Sequence, residues 1–159
     1  MSKFTLVLLL IITILIGIII GGYLFSGSIP RQFLSVNSCG DSCFKTNELA
    51  GLLTSIGVQN IGGKLPYVVY ETDKTLVFDI QYPYPPDKIH YTVMPKKDIK
   101  DVSQFTEEDK EYLDDAYAVI GKIVRDNNYT KYRVITNGAG YQEVAYLHFH
   151  LVIDRGKNK

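Results

Sequence analysis

The 159 residues carry 17 Lys plus Arg against 17 Asp plus Glu, a formal net charge of zero, which argues against a nucleic-acid binder that relies on bulk positive charge. Hydrophobic residues make up 46%, an ordinary globular value only because one apolar block at the front is averaged with a more polar remainder.

Residues 4–25 read FTLVLLLIITILIGIIIGGYLF without a charge. At helical rise they span about 33 Å, enough to cross a bilayer core. A secretory signal has a shorter apolar region, roughly 7–15 residues, followed by a small-residue cleavage site, and neither feature fits. Residues 1–25 are therefore expected to form an uncleaved, single-pass anchor with membrane lipid as its partner. No cysteine follows closely enough for lipid attachment. Lys3 and the amino terminus on one side nearly balance Arg31 and Lys45 on the other, so the positive-inside count leaves the side of the soluble part open.

Residues 26–62 read as a linker. A short helix is expected over 47–56, with Leu49, Leu52, Leu53 and Ile56 on one face and Gly57 ending it. The two cysteines stand in Cys39-Gly-Asp-Ser-Cys43. An oxidising compartment would close them into a disulfide, a reducing one would make them half of a zinc site, and two plain thiols are the third reading. Zinc needs further ligands, and the three histidines have better uses, so no metal is expected.

Residues 63–159 are expected to form one α+β domain. Runs rich in Val, Ile, Tyr, Phe and Thr at 67–71, 75–80 and 88–94 predict three strands, joined by 73–74 and 82–87. Such short gaps favour antiparallel pairing, because a parallel return needs a crossover. Thr106-Glu-Glu-Asp109 resembles a capping box and opens a helix over about 106–126, whose core stripe is Leu113, Ala116, Tyr117, Ile120 and Val124. Strands at 132–136 and 142–153 complete a mostly antiparallel, five-stranded sheet with one main helix.

Along the last strand, period-2 alternation puts Val144, Tyr146, His148 and His150 on one face and Ala145, Leu147, Phe149 and Leu151 on the other. A lone strand histidine is most often packing or surface. Two at period 2 beside a glycine-containing loop suit an imidazole nucleophile attacking phosphorus while its neighbour donates to the developing negative charge. No Gly-x-x-x-x-Gly-Lys-Ser/Thr loop and no Gly-x-Gly-x-x-Gly fingerprint is present. The 12 tyrosines are dispersed, which gives no stacking platform for single-stranded nucleic acid.

Tyr146-Leu-His148-Phe-His150-Leu-Val resembles the His-φ-His-φ-His-φ-φ motif of the histidine triad (HIT) family of nucleotidyl hydrolases and transferases, where φ is apolar. Leu76-Val-Phe-Asp79-Ile, Lys88-Ile-His90-Tyr-Thr-Val-Met-Pro95-Lys-Lys, the helix that follows and Asn137-Gly-Ala-Gly140 ahead of Gln142 extend the resemblance in order over about 67–153. The resemblance implies a nucleotide or nucleotide conjugate as partner and reaction at its α-phosphate through a covalent nucleotidyl-histidine, without a cofactor. It makes His148 the nucleophile, His150 a ligand of phosphate oxygens and His90 the support of the nucleophile. It also makes Asp79 the ribose-binding acid and Asn137 and Gln142 polar residues around the phosphate. Pairing into a homodimer is implied too, since many relatives pair. Three departures stand out: Tyr146 replaces the first triad histidine, the loop 137–142 is short with Tyr141 before Gln142, and Asp98 stands where a histidine is frequent. The competing readings are a nucleotide-binding module with little or no turnover and an extracytoplasmic scaffold without nucleotide function.

Overall fold

A computed structural model describes residues 2–35, 43–81 and 88–154. Helix α1 (Lys3–Phe25) starts where the Ser2 hydroxyl accepts the Thr5 amide at 3.1 Å. None of its residues is buried, and its mean hydropathy of 3.1 makes it long and apolar enough to span a membrane. Cys43 is disulfide-bonded, so the zinc reading does not hold for that sulfur. Cys39 and the connector 82–87 lie outside the described residues.

Five antiparallel strands form one sheet in the order β1 (Val68–Glu71), β2 (Thr75–Asp79), β3 (Lys88–Pro95), β5 (Phe149–Asp154), β4 (Tyr132–Ile135). The last strand is shorter than its alternation predicts. Residues 142–148 do not pair in the sheet, because their backbone groups are taken elsewhere: Ala145 N–H by Asn47 C=O at 3.0 Å, and Leu147 N–H by Ile99 C=O at 2.6 Å. The division between faces survives nevertheless. Leu147, Phe149 and Leu151 enter a core with Val77, Val93 and Ile153, whereas Tyr146 and Val144 pack with Leu76, Phe78 and Met94 on the opposite face.

Helix α3 (Lys110–Asp126) covers the first face. Its entry is the expected capping box, drawn out through a 3-10 turn (Glu107–Asp109), with Thr106 N–H donating to the Asp109 carboxylate at 2.8 Å. Ala116, Val119 and Ile120 are buried and Leu113, Ile123 and Val124 pack beside them. Each fully buried Val or Ile contributes roughly 1.5–3 kcal/mol. Tyr117, expected in that stripe, is 54% exposed and meets the Phe149 ring, with centroids 5.3 Å apart. Asn128 takes a left-handed φ of 53° after the helix end.

Helix α2 (Thr46–Asn60) is longer than 47–56, and Gly57 lies within it. Its buried positions are Gly51, Ser55 and Val58, not the expected leucines, and Leu53 is 60% exposed. The reason is close approach. A Cβ on Gly51 would sit 2.4 Å from the Ala145 carbonyl oxygen, so only glycine lets the helix reach that backbone. Ala favours an exposed helix interior over Gly, yet Gly51→Ala is expected to destabilise the full chain by about 1–3 kcal/mol through overpacking. Denaturant unfolding in detergent measures this; unchanged or increased stability would contradict the packing described.

Candidate active site

Strands β3 and β5 pair Thr92 with His150 and His90 with Val152. Period-2 alternation then brings His90 and His150 to the same face on adjacent strands. His90 Nε2 and His150 Nδ1 are 2.8 Å apart, with ring centroids at 4.9 Å. His148 stands edge-on to His150, with centroids 4.7 Å apart. The three histidines are thus contiguous, although His90 supports His150 and does not touch His148 by a hydrogen bond.

His148 is buried, and its Nδ1–H donates to the Tyr146 carbonyl at 2.7 Å. This bond fixes the tautomer, because a carbonyl accepts and never donates. In the neutral ring, Nε2 then carries the lone pair. The loss of a histidine side chain at 146 therefore leaves the orienting group intact. The Tyr146 ring is fully buried, and its hydroxyl donates to Pro95 C=O at 2.6 Å, with Lys97 C=O at 3.1 Å. Burial pushes that hydroxyl far above its usual pKa, so it remains a neutral donor.

Burial also lowers the pKa of His150 to about 4, helped by His148 and His90 nearby. The same causes, burial first and then His148, lower that of His90. Burial first, and a neighbouring imidazole second, thus favour the neutral form of both His90 and His150.

His148 and His150 line a cavity of about 390 Å³ together with Thr92, Met94, Asn137, Tyr141, Glu143 and Val144. Thr92 and Met94 also wall a neighbouring, mostly apolar cavity of about 460 Å³, whose other side includes Leu53, Val58, Leu65, Tyr67 and Phe78. The chain thus builds a polar compartment beside an apolar one. Asn137 lines the polar compartment. Gln142 does not line it: its side-chain N–H donates to Lys100 C=O at 3.1 Å. Asp79 borders the apolar cavity at the end of β2, accepts from Gln81 at 3.2 Å and pairs in register with Tyr91. It does not line the cavity of His148 and His150, but it shares a smaller one, of about 280 Å³, with His90.

Several residues around the site were not singled out from the sequence. Thr92 and Met94 follow His90 at period 2 and were within reach of the alternation argument. Thr136, whose hydroxyl donates to His148 C=O at 2.9 Å, carried no sequence signal. Among the described residues, no group of three or more His, Cys, Asp or Glu is arranged to hold a metal ion.

Residues 60–158 match the family model described as "Scavenger mRNA decapping enzyme C-term binding". An uncharacterized HIT-like protein from Chlamydia muridarum is 28% identical over 115 residues, covering 62% of this chain and 90% of its own. Among solved structures, a HIT family hydrolase from Clostridium thermocellum superposes with a TM-score of 0.55 at 26% identity, covering 67% of this chain and 93% of its own. A histidine triad protein from Clostridium difficile gives 0.52 at 31% identity, covering 62% and 86%. The fold, the family-model match and the contiguous histidines agree: this chain belongs to the histidine triad family.

Proposed function

We propose that this protein is a membrane-anchored hydrolase or transferase acting at the α-phosphate of a nucleotide conjugate, with His148 as nucleophile. One observation carries the reading: His148 Nδ1–H is committed to the Tyr146 carbonyl, so that in the neutral ring Nε2 is the nitrogen with the lone pair, beside a polar compartment that adjoins an apolar one. A nucleoside phosphate has the same two halves. The base and sugar fit the apolar cavity, with Asp79 at its border available to the ribose hydroxyls, and the phosphate meets Asn137, His148 and His150.

In the proposed cycle the Nε2 lone pair attacks the α-phosphorus, and the bond to the leaving group breaks with its electron pair. The leaving group takes up a proton from solvent as it departs, and the nucleotide is left on His148 Nε2. Water then attacks the same phosphorus, gives up a proton to solvent, and returns the lone pair to His148 with release of the nucleoside monophosphate. With His90 Nε2–H donating to His150 Nδ1, His150 Nε2–H is turned to the phosphate oxygens, where charge accumulates. A neutral donor at His150 is what its lowered pKa supports. Gln142 acts in this scheme by holding the loop to Lys100, not by touching phosphate.

Helix α1 would tie the domain to a bilayer, and the disulfide at Cys43 favours the oxidising side. A binding module without turnover is the second reading, favoured by Gln142 being turned away and by the carboxylate of Glu143 in the phosphate compartment.

With an adenosine phosphoramidate as substrate, the full chain in detergent should release the amine, and His148→Ala should reduce the rate at least about 10²-fold. Nucleotide binding without amine release by the wild type would support the module instead. Proton NMR should find the His150 ring neutral at pH 7 and titrating near 4. A folded pKa below the free value means that protonation opposes folding. Stability should therefore be full above about pH 6.5 and fall as pH drops from there toward the folded value. Titration of His150 at an ordinary histidine value would contradict the burial and contacts described.

A further inference from the structure

Arg31 lies in the segment between α1 and α2, before the residues 60–158 that match the family, yet its side chain is 0% exposed. One amino group of its guanidinium, Nη2, donates to the Asp98 carboxylate, which is 1% exposed. The other, Nη1, donates to the Ala145 carbonyl at 2.5 Å. The second Asp98 oxygen accepts the Ile29 amide at 2.8 Å, so the carboxylate is held from both sides by the same segment. Glu48 Oε2, at 3.8 Å from Nη1, adds a second negative charge, and its other oxygen is bound by Lys100 at 2.7 Å.

These contacts surround one peptide unit. The Tyr146 carbonyl that orients His148 shares its plane with the Leu147 N–H, and in a trans peptide the two point in opposite directions. Leu147 N–H donates to Ile99 C=O at 2.6 Å, so the direction of the Tyr146 carbonyl follows from where Ile99 stands. Asp98 immediately precedes Ile99, and Ala145 immediately precedes Tyr146. The Arg31 fork spans the two, gripping both strands of backbone that meet in the Ile99–Leu147 bond.

We propose that Arg31, with Asp98, is a positioning residue for the nucleophile: it clamps the membrane-proximal segment onto the Ile99–Leu147 contact and so fixes the carbonyl that sets the His148 tautomer. The assignment rests on the reading of His148 as nucleophile. Stability alone is a poor explanation of the clamp. A buried ion pair often contributes no more than well-packed apolar groups of the same size, and the buried Arg31 Nε has no hydrogen-bond partner among the described residues. A planar fork supplies direction, which an apolar replacement would not. The segment that joins the domain to its anchor is then part of the active site.

Arg31→Lys tests this in the full chain, since lysine keeps a cation for Asp98 but cannot hold Asp98 and Ala145 in one rigid fork. Turnover of the adenosine phosphoramidate should show kcat reduced about 10–100-fold with KM unchanged, as a small misplacement of a reacting group produces. Nitrogen-15 NMR of the His148 ring, read without substrate, should find the Nδ1–H form in the wild type and an admixture of Nε2–H in the variant. Gln59→Ala, which removes the bonds from Gln59 to the Gly27 carbonyl and to the Ser55 hydroxyl that meets Ser28 but leaves the Arg31–Asp98 and Arg31–Ala145 contacts in place, should leave both readouts at wild-type values. If Arg31→Lys does not fold, Arg31→Gln combined with Asp98→Asn removes both charges together and is read in the same way. A lowered melting temperature with wild-type kcat and tautomer would overturn the proposal. Absence of turnover in the wild type would defeat the nucleophile reading, while the ring spectra would still decide whether the clamp sets the tautomer.

Discussion

Everything distinctive about the site follows from the hydrogen bond between His148 Nδ1 and the Tyr146 carbonyl. An imidazole has two nitrogens and, when neutral, one proton. Committing that proton to a backbone acceptor decides which nitrogen faces the compartment with an available lone pair. Because the acceptor is main chain, the residue type at 146 is free to serve another purpose. Tyrosine there fills the packing beside Leu76 and Val58 and ties its hydroxyl to the Pro95 carbonyl. The departure from the family motif is thus a change in the supporting structure that leaves the orienting bond in place.

The sheet places the remaining groups by register. Antiparallel pairing of β3 with β5 aligns Thr92 with His150, and alternation carries His90 and Met94 to the same face. Helix α3 seals the opposite face with apolar contacts, while α2 approaches the functional face closely enough to require Gly51. The histidine face is therefore neither open sheet nor closed core. It is desolvated enough to keep His150 neutral and open enough to retain two adjoining cavities.

Local pattern carried most of this into the sequence. The five strands, their antiparallel pairing and the entry of α3 at Thr106 follow from short-range alternation, gap length and capping, which act over a few residues. The neighbourhood of His148 and His150 follows from period 2, and the family resemblance added His90. What could not be read depends on contacts between distant parts of the chain. The last strand begins only at Phe149 because Asn47 and Ile99 capture the backbone before it, and no local pattern announces that competition. The buried stripe of α2 is glycine and serine because the helix meets a carbonyl, so counting leucines pointed to the wrong face. Arg31 looked like one more charge beside a membrane segment until its partners Asp98 and Ala145 were in view.

The central claim is that His148 Nε2 itself takes up the nucleotide. Rapid mixing of the full chain with an adenosine phosphoramidate, acid-free quenching and mass spectrometry of the intact protein and its peptides test it most directly. The account predicts a transient adduct of one nucleoside monophosphoryl group, located on His148, that forms and decays at rates compatible with turnover. Steady amine release with no adduct on His148, or with the adduct on another residue, would contradict it.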